Sequence, residues 1–293
     1  MPVIEAENLT KYYGKNRGIE RVTFSVEEGE IFGFIGPNGA GKTTTIRLLL
    51  GLIFPTDGRV RIFGKDVFKE GKNLKRSIGY IPGEVNFYPE VTVEELLEYS
   101  SRFYRDVDKG YAKKLCKILN LDVKKRIKEL SMGNKKKVAI VQVLMHKPKL
   151  LVLDEPTNGL DPLVQNIFFE ILREEKKRGT TIFFSSHILS EVERLCDRVA
   201  MIKEGRIIKI ESVENLKKEK YKIVRLRGKS FSILKDLPEV RNLNEENGSI
   251  EFLYFGTTGK LLQILNEVKP EDLWISDPSL EEVFISYYRE GEK

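Results

Sequence analysis

Apolar runs that end in glycine-rich turns alternate with helical segments from residue 4 to about residue 211. One such run, Ile31–Ile35, leads into a glycine-rich loop, and residues 43–52 then have the pattern of a helix. Residues 150–153 and 181–185 are further apolar runs, short enough to be buried strands. This alternation predicts an α/β fold with ligands at the ends of its strands.

Helical patterns replace strand patterns between about residues 84 and 146. Thr92 precedes Glu95 by three positions, which is a capping box and predicts the start of a helix. A second helix is predicted from about Asp108, and a third from near Ser131 to Met145. The segment is therefore predicted to be a helical subdomain inserted into the α/β domain.

A change of pattern after residue 211 predicts a second, smaller domain, preceded by a lysine-rich linker. Asn247-Gly248 predicts a tight hairpin, and Ser279 with Glu282 forms a capping box for a final helix ending near Arg289. The order βαββαβ is that of a ferredoxin-like α+β domain. Its elements are predicted at residues 222–227, about 230–235, 240–244, 249–255, about 257–268 and 272–276. The two domains are predicted as residues 1–214 and 215–293.

Composition limits the class of protein more than it identifies the function. The 293 residues carry a net charge of +6 among many charges of both signs, which identifies no partner. The first residues lack the basic and apolar segments of a secretory signal. No stretch contains the roughly 18 apolar residues that a membrane helix needs. A soluble cytosolic protein is therefore expected.

Residues 36–43, Gly-Pro-Asn-Gly-Ala-Gly-Lys-Thr, fit the P-loop pattern of nucleotide-binding proteins. Glycines let backbone amides approach phosphate oxygens, and the helix that follows adds its positive end. Lys42 is expected to reach the β- and γ-phosphates, and Thr43 to be a Mg²⁺ ligand. A chance glycine-rich turn is the alternative, which the strand before and the helix after disfavour. The residues expected to bind nucleotide are Gly36, Pro37, Asn38, Gly39, Ala40, Gly41, Lys42, Thr43 and Thr44.

Two adjacent carboxylates follow the apolar run 150–153. Successive residues of a strand point to opposite sides, so neighbours at its end can have different tasks. Asp154 is suited to the Mg²⁺ shell. Glu155 is suited to polarising the water that attacks the γ-phosphorus. An exposed acidic turn is the alternative, which the four apolar residues before it disfavour.

Further motifs surround these two in a fixed order. The segment 130–134, Leu-Ser-Met-Gly-Asn, precedes the acidic strand, and 156–161, Pro-Thr-Asn-Gly-Leu-Asp, continues from it. His187 follows the next strand, and Tyr13 precedes a glycine near the start of the chain. With the P-loop and the acidic strand, this order resembles the ATP-binding-cassette (ABC) ATPases over roughly residues 3–211.

The resemblance assigns roles to residues outside the P-loop. It makes Ser131 and Gly133 signature residues that act in trans on nucleotide bound by an opposite subunit. Asp161 becomes the D-loop residue, His187 the catalytic switch histidine beside Glu155, and Tyr13 the aromatic that stacks on adenine. Packing is the alternative for an isolated tyrosine.

The resemblance also implies an activity, cofactors and partners. It implies an ATPase that uses ATP and Mg²⁺ and that drives transport by ATP-dependent dimerisation of two cassettes, most simply as a homodimer. The stretch 278–284 resembles the ending of ATPases that pair with ABC-2-type permeases, many of them exporters. Export through a separate integral-membrane permease is therefore expected, with the chain on the cytoplasmic face of the membrane.

Two departures from the family pattern stand out. Asn134 replaces the signature glutamine with a shorter side chain. Gly83 stands where the Q-loop glutamine belongs, so that either Glu84 or water substitutes for it, or the link to the membrane partner is built differently. Two other features have simple interpretations: the lysines at 135–137 as a solvated helix face, and His146 as a partner of a helix dipole.

Other ATPases of the same superfamily fit the sequence less well. DNA-repair and chromosome ATPases carry a long coiled coil between P-loop and signature, and here only about 90 residues without sustained heptads intervene. Translation factors have two cassettes in one chain, whereas this chain has one set of motifs. A non-catalytic regulator is disfavoured because Lys42, Asp154, Glu155 and His187 are all present. No nucleic-acid partner is expected.

Overall fold

A computed structural model of the chain describes residues 2–104, 107–217, 221–228, 231, 234, 237–246, 248–277, 282 and 284. Its contacts divide into two compact units, Met1–Glu211 and Ser212–Lys293. The predicted domain boundary, after residue 214, remains a prediction close to this division. No helix within the described ranges is long and apolar enough to cross a bilayer.

The first unit contains the expected alternation of strands and helices. Its strands are β1 (Pro2–Tyr13), β2 (Asn16–Glu27), β3 (Ile31–Ile35), β4 (Asp57–Ile62), β5 (Lys65–Asp66), β6 (Ile78–Ile81), β7 (Leu150–Asp154), β8 (Thr181–Ser186), β9 (Arg198–Lys203) and β10 (Arg206–Ser212). Its helices are α1 (Lys42–Leu49), α2 (Val67–Leu74), α3 (Val93–Ser101), α4 (Lys109–Ile118), α5 (Met132–Leu144), α6 (Pro162–Lys177) and α7 (Leu189–Leu195). The mixed α/β fold predicted from the sequence is confirmed.

A six-stranded sheet in the order β10-β9-β3-β8-β7-β6 positions the site. The pairs β3–β8, β3–β9, β7–β8 and β6–β7 are parallel. Every residue of β3, β7 and β8 is buried, as expected for the centre of a parallel sheet. Since parallel strands end at one edge, the segments that follow these three strands meet there.

A second sheet, in the order β2-β1-β4-β5, covers the same core. Phe24 of β2 stacks on Phe32 of β3 with ring centroids 5.6 Å apart, and it also contacts Phe34 and Phe183. Large aromatic rings bury much apolar area and pack with defined geometry. This cluster therefore holds β3, from which the P-loop starts, between the two sheets.

The helical insertion begins and ends where local capping signals predict. Thr92 and Glu95 form the expected capping box of α3, with the Thr92 amide donating to Glu95 Oε2 at 2.7 Å. Asp108 caps α4, and Ser131 caps α5. These side chains satisfy amides that the first turn of a helix leaves without partners.

The interpretation of His146 as a charged partner of a helix dipole is wrong. Its ring is buried and stacks on Tyr104, with centroids 3.8 Å apart. Burial lowers the pKa of His146 to about 4. The side chain is therefore neutral near neutral pH and belongs to the core beneath the end of α5.

The second unit has the predicted antiparallel sheet. Its elements are α8 (Val213–Lys217), β11 (Lys222–Arg227), β12 (Val240–Glu246), β13 (Ser249–Tyr254), α9 (Thr258–Val268) and β14 (Asp272–Ser276). The strand order β12-β13-β11-β14, with the pairs β11–β13, β11–β14 and β12–β13 antiparallel, is that of a ferredoxin-like sheet. Glu246 pairs with Ser249, and Asn247 of the predicted hairpin lies outside the described residues. Most of the helix predicted near 230–235, and the capping box and helix predicted after residue 278, lie outside the described residues.

Candidate functional site

The glycine loop between β3 and α1 leaves no room for side chains on its inner face. A Cβ on Gly36 would collide with the carbonyl oxygen of Ile202, and one on Gly41 would lie 2.6 Å from the Ile19 Cγ2 atom. Gly39 and Gly41 also have positive φ angles of 80° and 108°. Only glycine adopts such backbones without strain. The loop is thus built to present backbone to a ligand at the start of α1, where a helix favours anions.

Lys42 lies inside the loop and is only 5% exposed. Its Nζ donates to the carbonyls of Gly36 at 2.8 Å and Pro37 at 3.1 Å. The same ammonium lies 3.1 Å from Glu155 Oε1. A buried ammonium needs such partners, because an unpaired one is costly. Lys42 therefore joins the loop after β3 to the carboxylate after β7.

A cavity of about 470 Å³ opens over this loop. Nine of the predicted site residues line it: Tyr13, Asn38, Gly39, Gly41, Lys42, Thr43, Thr44, Asp154 and Glu155. Gly36, Pro37 and Ala40 complete the loop beneath, where the Ala40 amide donates to the Pro37 carbonyl at 3.2 Å. Arg17, Gly18 and Gly83 also line the cavity and were not predicted as nucleotide-binding residues.

Asp154 ends β7 and is 3% exposed. Burial raises its pKa, while hydrogen bonds with Ser185 and Thr43 act in the opposite direction. The Ser185 hydroxyl donates to Asp154 Oδ1 at 2.9 Å. A carboxylate beside a threonine hydroxyl, facing a phosphate cradle, is the hard oxygen set that Mg²⁺ prefers. The residues present therefore fit the predicted magnesium site.

Glu155 has an unusual backbone for a glutamate, with φ at 45°. Its amide donates to the Ser185 carbonyl at 3.2 Å and to the Ser185 hydroxyl at 3.1 Å. Non-glycine residues in this region carry strain and cluster at functional sites. This backbone conformation directs the Glu155 side chain toward Lys42, with which it forms an ion pair.

The Glu155 carboxylate contacts three side chains. Besides Lys42, Asn158 Nδ2 donates to Oε2 at 2.7 Å, and His187 Nδ1 lies 3.3 Å from Oε2. Burial acts to raise its pKa, but the hydrogen bond and charge of Lys42 and the hydrogen bond from Asn158 act against this, and the pKa lies below its usual value. The carboxylate is therefore ionised at neutral pH and held in one orientation.

The predicted signature and D-loop residues lie together but do not line the cavity. Ser131 is exposed, and its hydroxyl accepts from the Asn134 amide at 3.3 Å. A Cβ on Gly133 would lie 2.6 Å from the Gly159 carbonyl, so the two segments touch. Asp161 caps α6 through a bond from the Val164 amide at 3.0 Å.

Two residues that motif reasoning missed contact the carboxylates of the candidate site. Ser185 was included only as the end of the apolar run 181–185, yet its hydroxyl bonds both Asp154 and Glu155. Asn158 was noted only as part of the D-loop motif, yet it orients Glu155. The sequence carried no signal for Ser185, because it meets Asp154 only through the parallel register of β7 and β8.

The run of lysines at 135–137 is not a uniformly solvated face, and that interpretation is wrong for Lys136. This side chain is 2% exposed. Its Nζ donates to the carbonyls of Pro82 at 3.0 Å and Gly83 at 2.9 Å. Lys135 and Lys137 are partly exposed.

The chain is also similar to known proteins. The ABC transporter family profile matches residues 19–158. The bacitracin transport ATP-binding protein BcrA of Bacillus licheniformis is 36% identical over 97% of this chain and 96% of its own length. The Nod factor export ATP-binding protein I of Burkholderia orbicola is 38% identical over 70% of this chain and 69% of its own.

Solved structures share the fold. The ATP-binding subunit of an ABC transporter superposes with a TM-score of 0.69 and 32% identity, covering 74% of this chain and 92% of its own. A dimeric bacterial ABC transporter cassette superposes with a TM-score of 0.65 and 25% identity, covering 72% of this chain and 98% of its own. Together with the phosphate cradle and its paired carboxylates, these similarities show that the chain belongs to the ATP-binding, ATP-hydrolysing subunits of ABC transporters.

Proposed function

We propose that this chain powers export through a separate integral-membrane permease, on the cytoplasmic face of the membrane. The observation that carries the catalytic part is the convergence of Lys42, Asp154 and Glu155 on one cavity over the glycine loop. Export is supported by the 38% identity to a protein named for Nod factor export. The permease determines what is carried.

In the proposed reaction, the phosphates of ATP lie over the glycine loop and compete with Glu155 for the Lys42 ammonium. Mg²⁺ would be held by Thr43 and Asp154 and would neutralise charge on the phosphates. Glu155, kept ionised by Lys42 and oriented by Asn158, polarises the attacking water. His187 contacts the same Glu155 carboxylate and acts together with it beside the γ-phosphate.

We further propose that two copies of the chain complete each site. Ser131 and Gly133 do not line the cavity of their own chain, so they are available to a facing subunit. The similar cassette solved as a dimer supports this assembly. Ser131 is exposed and lies at the start of α5, where backbone amides and a hydroxyl favour a phosphate group. A homodimer is the simplest arrangement.

An aromatic groove supports docking of the permease. The loop after β6 and helix α3 enclose a groove of about 510 Å³ that is rich in aromatic side chains. Tyr88 is 71% exposed, Phe103 63% and Tyr99 53%. Exposed apolar patches of this kind mark interaction sites, and an amphipathic helix is a common occupant of such a groove. Gly83 at one end of the same loop lines the nucleotide cavity.

The variant Glu155→Gln tests the reaction and the dimer together. It keeps shape but removes the negative charge, and loss of a general base lowers a rate by about 10²–10⁴-fold, or roughly 3–5 kcal/mol of barrier. ATP binding should persist, because the cradle, Lys42 and Thr43 remain. The variant should accumulate as an ATP-dependent dimer in light scattering, at high protein concentration if necessary.

Two controls separate the parts of the proposal. Lys42→Ala should lose ATP hydrolysis and should not form the dimer. Adding Ser131→Arg to the Glu155→Gln chain should dissociate the ATP-dependent dimer that Glu155→Gln forms. Wild-type hydrolysis by Glu155→Gln would exclude Glu155 as the base. A variant that binds ATP yet stays monomeric at every concentration would point to a different partner cassette. Copurification with a multi-spanning membrane protein tests the permease.

A further inference from the structure

Lys136 is a buried cation for which the reaction described above has no use. It lies one turn into α5, five residues after Ser131, and is 2% exposed. Its ammonium is bonded to two consecutive backbone carbonyls, those of Pro82 and Gly83. One side chain thus clasps the loop that leaves β6.

That loop has no side chain of its own to offer the cavity. Gly83 lines the cavity, and the nearest atoms to a Cβ built on it are the Asp154 carbonyl oxygen at 3.7 Å and Asp154 Oδ2 at 4.0 Å. Glu84, the candidate substitute, is exposed and is not among the lining residues. The position of the loop therefore depends on what holds its backbone.

Burying an ammonium is unfavourable unless something compensates. Burial lowers the pKa of Lys136 to about 8, while the charges of Asp154 and Glu155 act to raise it. An apolar side chain of similar length would avoid this cost but would leave the carbonyls of Pro82 and Gly83 without this donor. The two hydrogen bonds therefore compensate the buried ammonium and at the same time fix the backbone of the loop.

We propose that Lys136 is a positioning residue for ATP hydrolysis, which holds the Pro82–Gly83 backbone against the end of β7. In this chain the two hydrogen bonds from Lys136 take the place of the side chain missing at Gly83. It also ties the loop to α5, so that the signature end of that helix and the loop beside Asp154 move as one piece. The inference rests on ATP hydrolysis and not on the direction of transport.

The test compares Lys136→Met with Lys136→Gln in the full chain. Methionine keeps the length but cannot donate, whereas glutamine keeps two N–H donors without the charge. Lys135→Met and Lys137→Met are matched controls from the same run of the helix. Steady-state ATP hydrolysis, binding of a fluorescent ATP analogue and thermal unfolding are measured on each protein.

The expected result is a loss of at least about tenfold in kcat for Lys136→Met with KM for ATP changed less than about twofold, because misplaced groups lower the rate of the chemical step. Lys136→Gln should recover part of that loss, and both controls should hydrolyse ATP at the wild-type rate. If Lys136→Met does not fold, Lys136→Gln should still show a smaller loss of kcat with KM for ATP changed less than about twofold, and wild-type kcat in Lys136→Gln would then overturn the proposal.

Three results would overturn the proposal. The first is wild-type kcat in Lys136→Met. The second is a fall in kcat that only parallels a lost melting temperature or lost ATP binding. The third is an equal fall in kcat in Lys135→Met or Lys137→Met, which would show that any charge on this helix matters.

Discussion

Acidification should destabilise the first unit through His146. The ring is buried against Tyr104, and its pKa falls from the usual 6.5 to about 4. In the unfolded chain the same imidazole takes a proton below about pH 6.5. Between about pH 6.5 and pH 4 the unfolded state therefore binds more protons than the folded state, and the free energy of unfolding falls as the pH falls.

The size of the effect follows from the two pKa values of His146. Proton linkage with these values removes about 2 kcal/mol of stability between about pH 7 and pH 5. The full difference, reached only below pH 4, is about 3–4 kcal/mol, since each pKa unit corresponds to about 1.4 kcal/mol. This is a large fraction of the 5–15 kcal/mol by which folded proteins are typically stable.

Urea unfolding at several pH values, followed by circular dichroism, measures the effect. Burial raises the pKa values of acids such as Asp154 and Glu191, so their contribution to the pH dependence of stability has the opposite sign. The comparison with His146→Phe removes their contribution, because phenylalanine keeps an aromatic ring against Tyr104 but cannot titrate. The variant should lose about 2 kcal/mol less than wild type on acidification. Equal losses in the two proteins would refute the assignment of a buried neutral imidazole.

Two further predictions concern the glycine loop and the second unit. Gly36→Ala should lower both ATP affinity and the melting temperature, because its Cβ would collide with a backbone oxygen of Ile202. The control is Gly71→Ala, since Gly71 lies in α2 with open space around it. This control should be neutral or stabilising by about 0.5–1 kcal/mol. ATP binding by Gly36→Ala at the wild-type affinity would contradict the tight cradle. A chain that ends at residue 217 should fold and bind ATP, since each unit has its own hydrophobic core. An insoluble product, or one that fails to bind an ATP analogue, would show that the second unit is required.

Features set by local sequence were the ones that could be predicted. The strand Ile31–Ile35 and the caps at Thr92 and Ser131 follow from short-range periodicity and capping chemistry, and the structure confirms them. The four strands of the second unit are also found within two residues of their predicted ends. Five of the eight P-loop residues line one cavity, because the spacing of the motif itself specifies a cradle.

Features set by contacts distant in sequence could not be predicted in the same way. The left-handed backbone of Glu155 depends on Ser185, which lies thirty residues further along the chain. The prediction of a solvated position was wrong for Lys136, because a run of charged residues is usually exposed to solvent. Its spacing of four and seven from Ile140 and Val143, which are also buried, places it on the inward stripe of α5. That periodicity was the available signal.

The hydroxyl of Ser185 has a consequence for how hydrolysis can be adjusted. It bonds the proposed magnesium ligand Asp154 and also the backbone of the proposed base Glu155, so a shift of β8 displaces both at once. Substitutions along that strand are therefore expected to change metal affinity and turnover together. Asn158 and His187 contact the Glu155 carboxylate directly, without the involvement of Ser185. Substitutions at these two residues are therefore expected to change turnover while magnesium affinity stays constant.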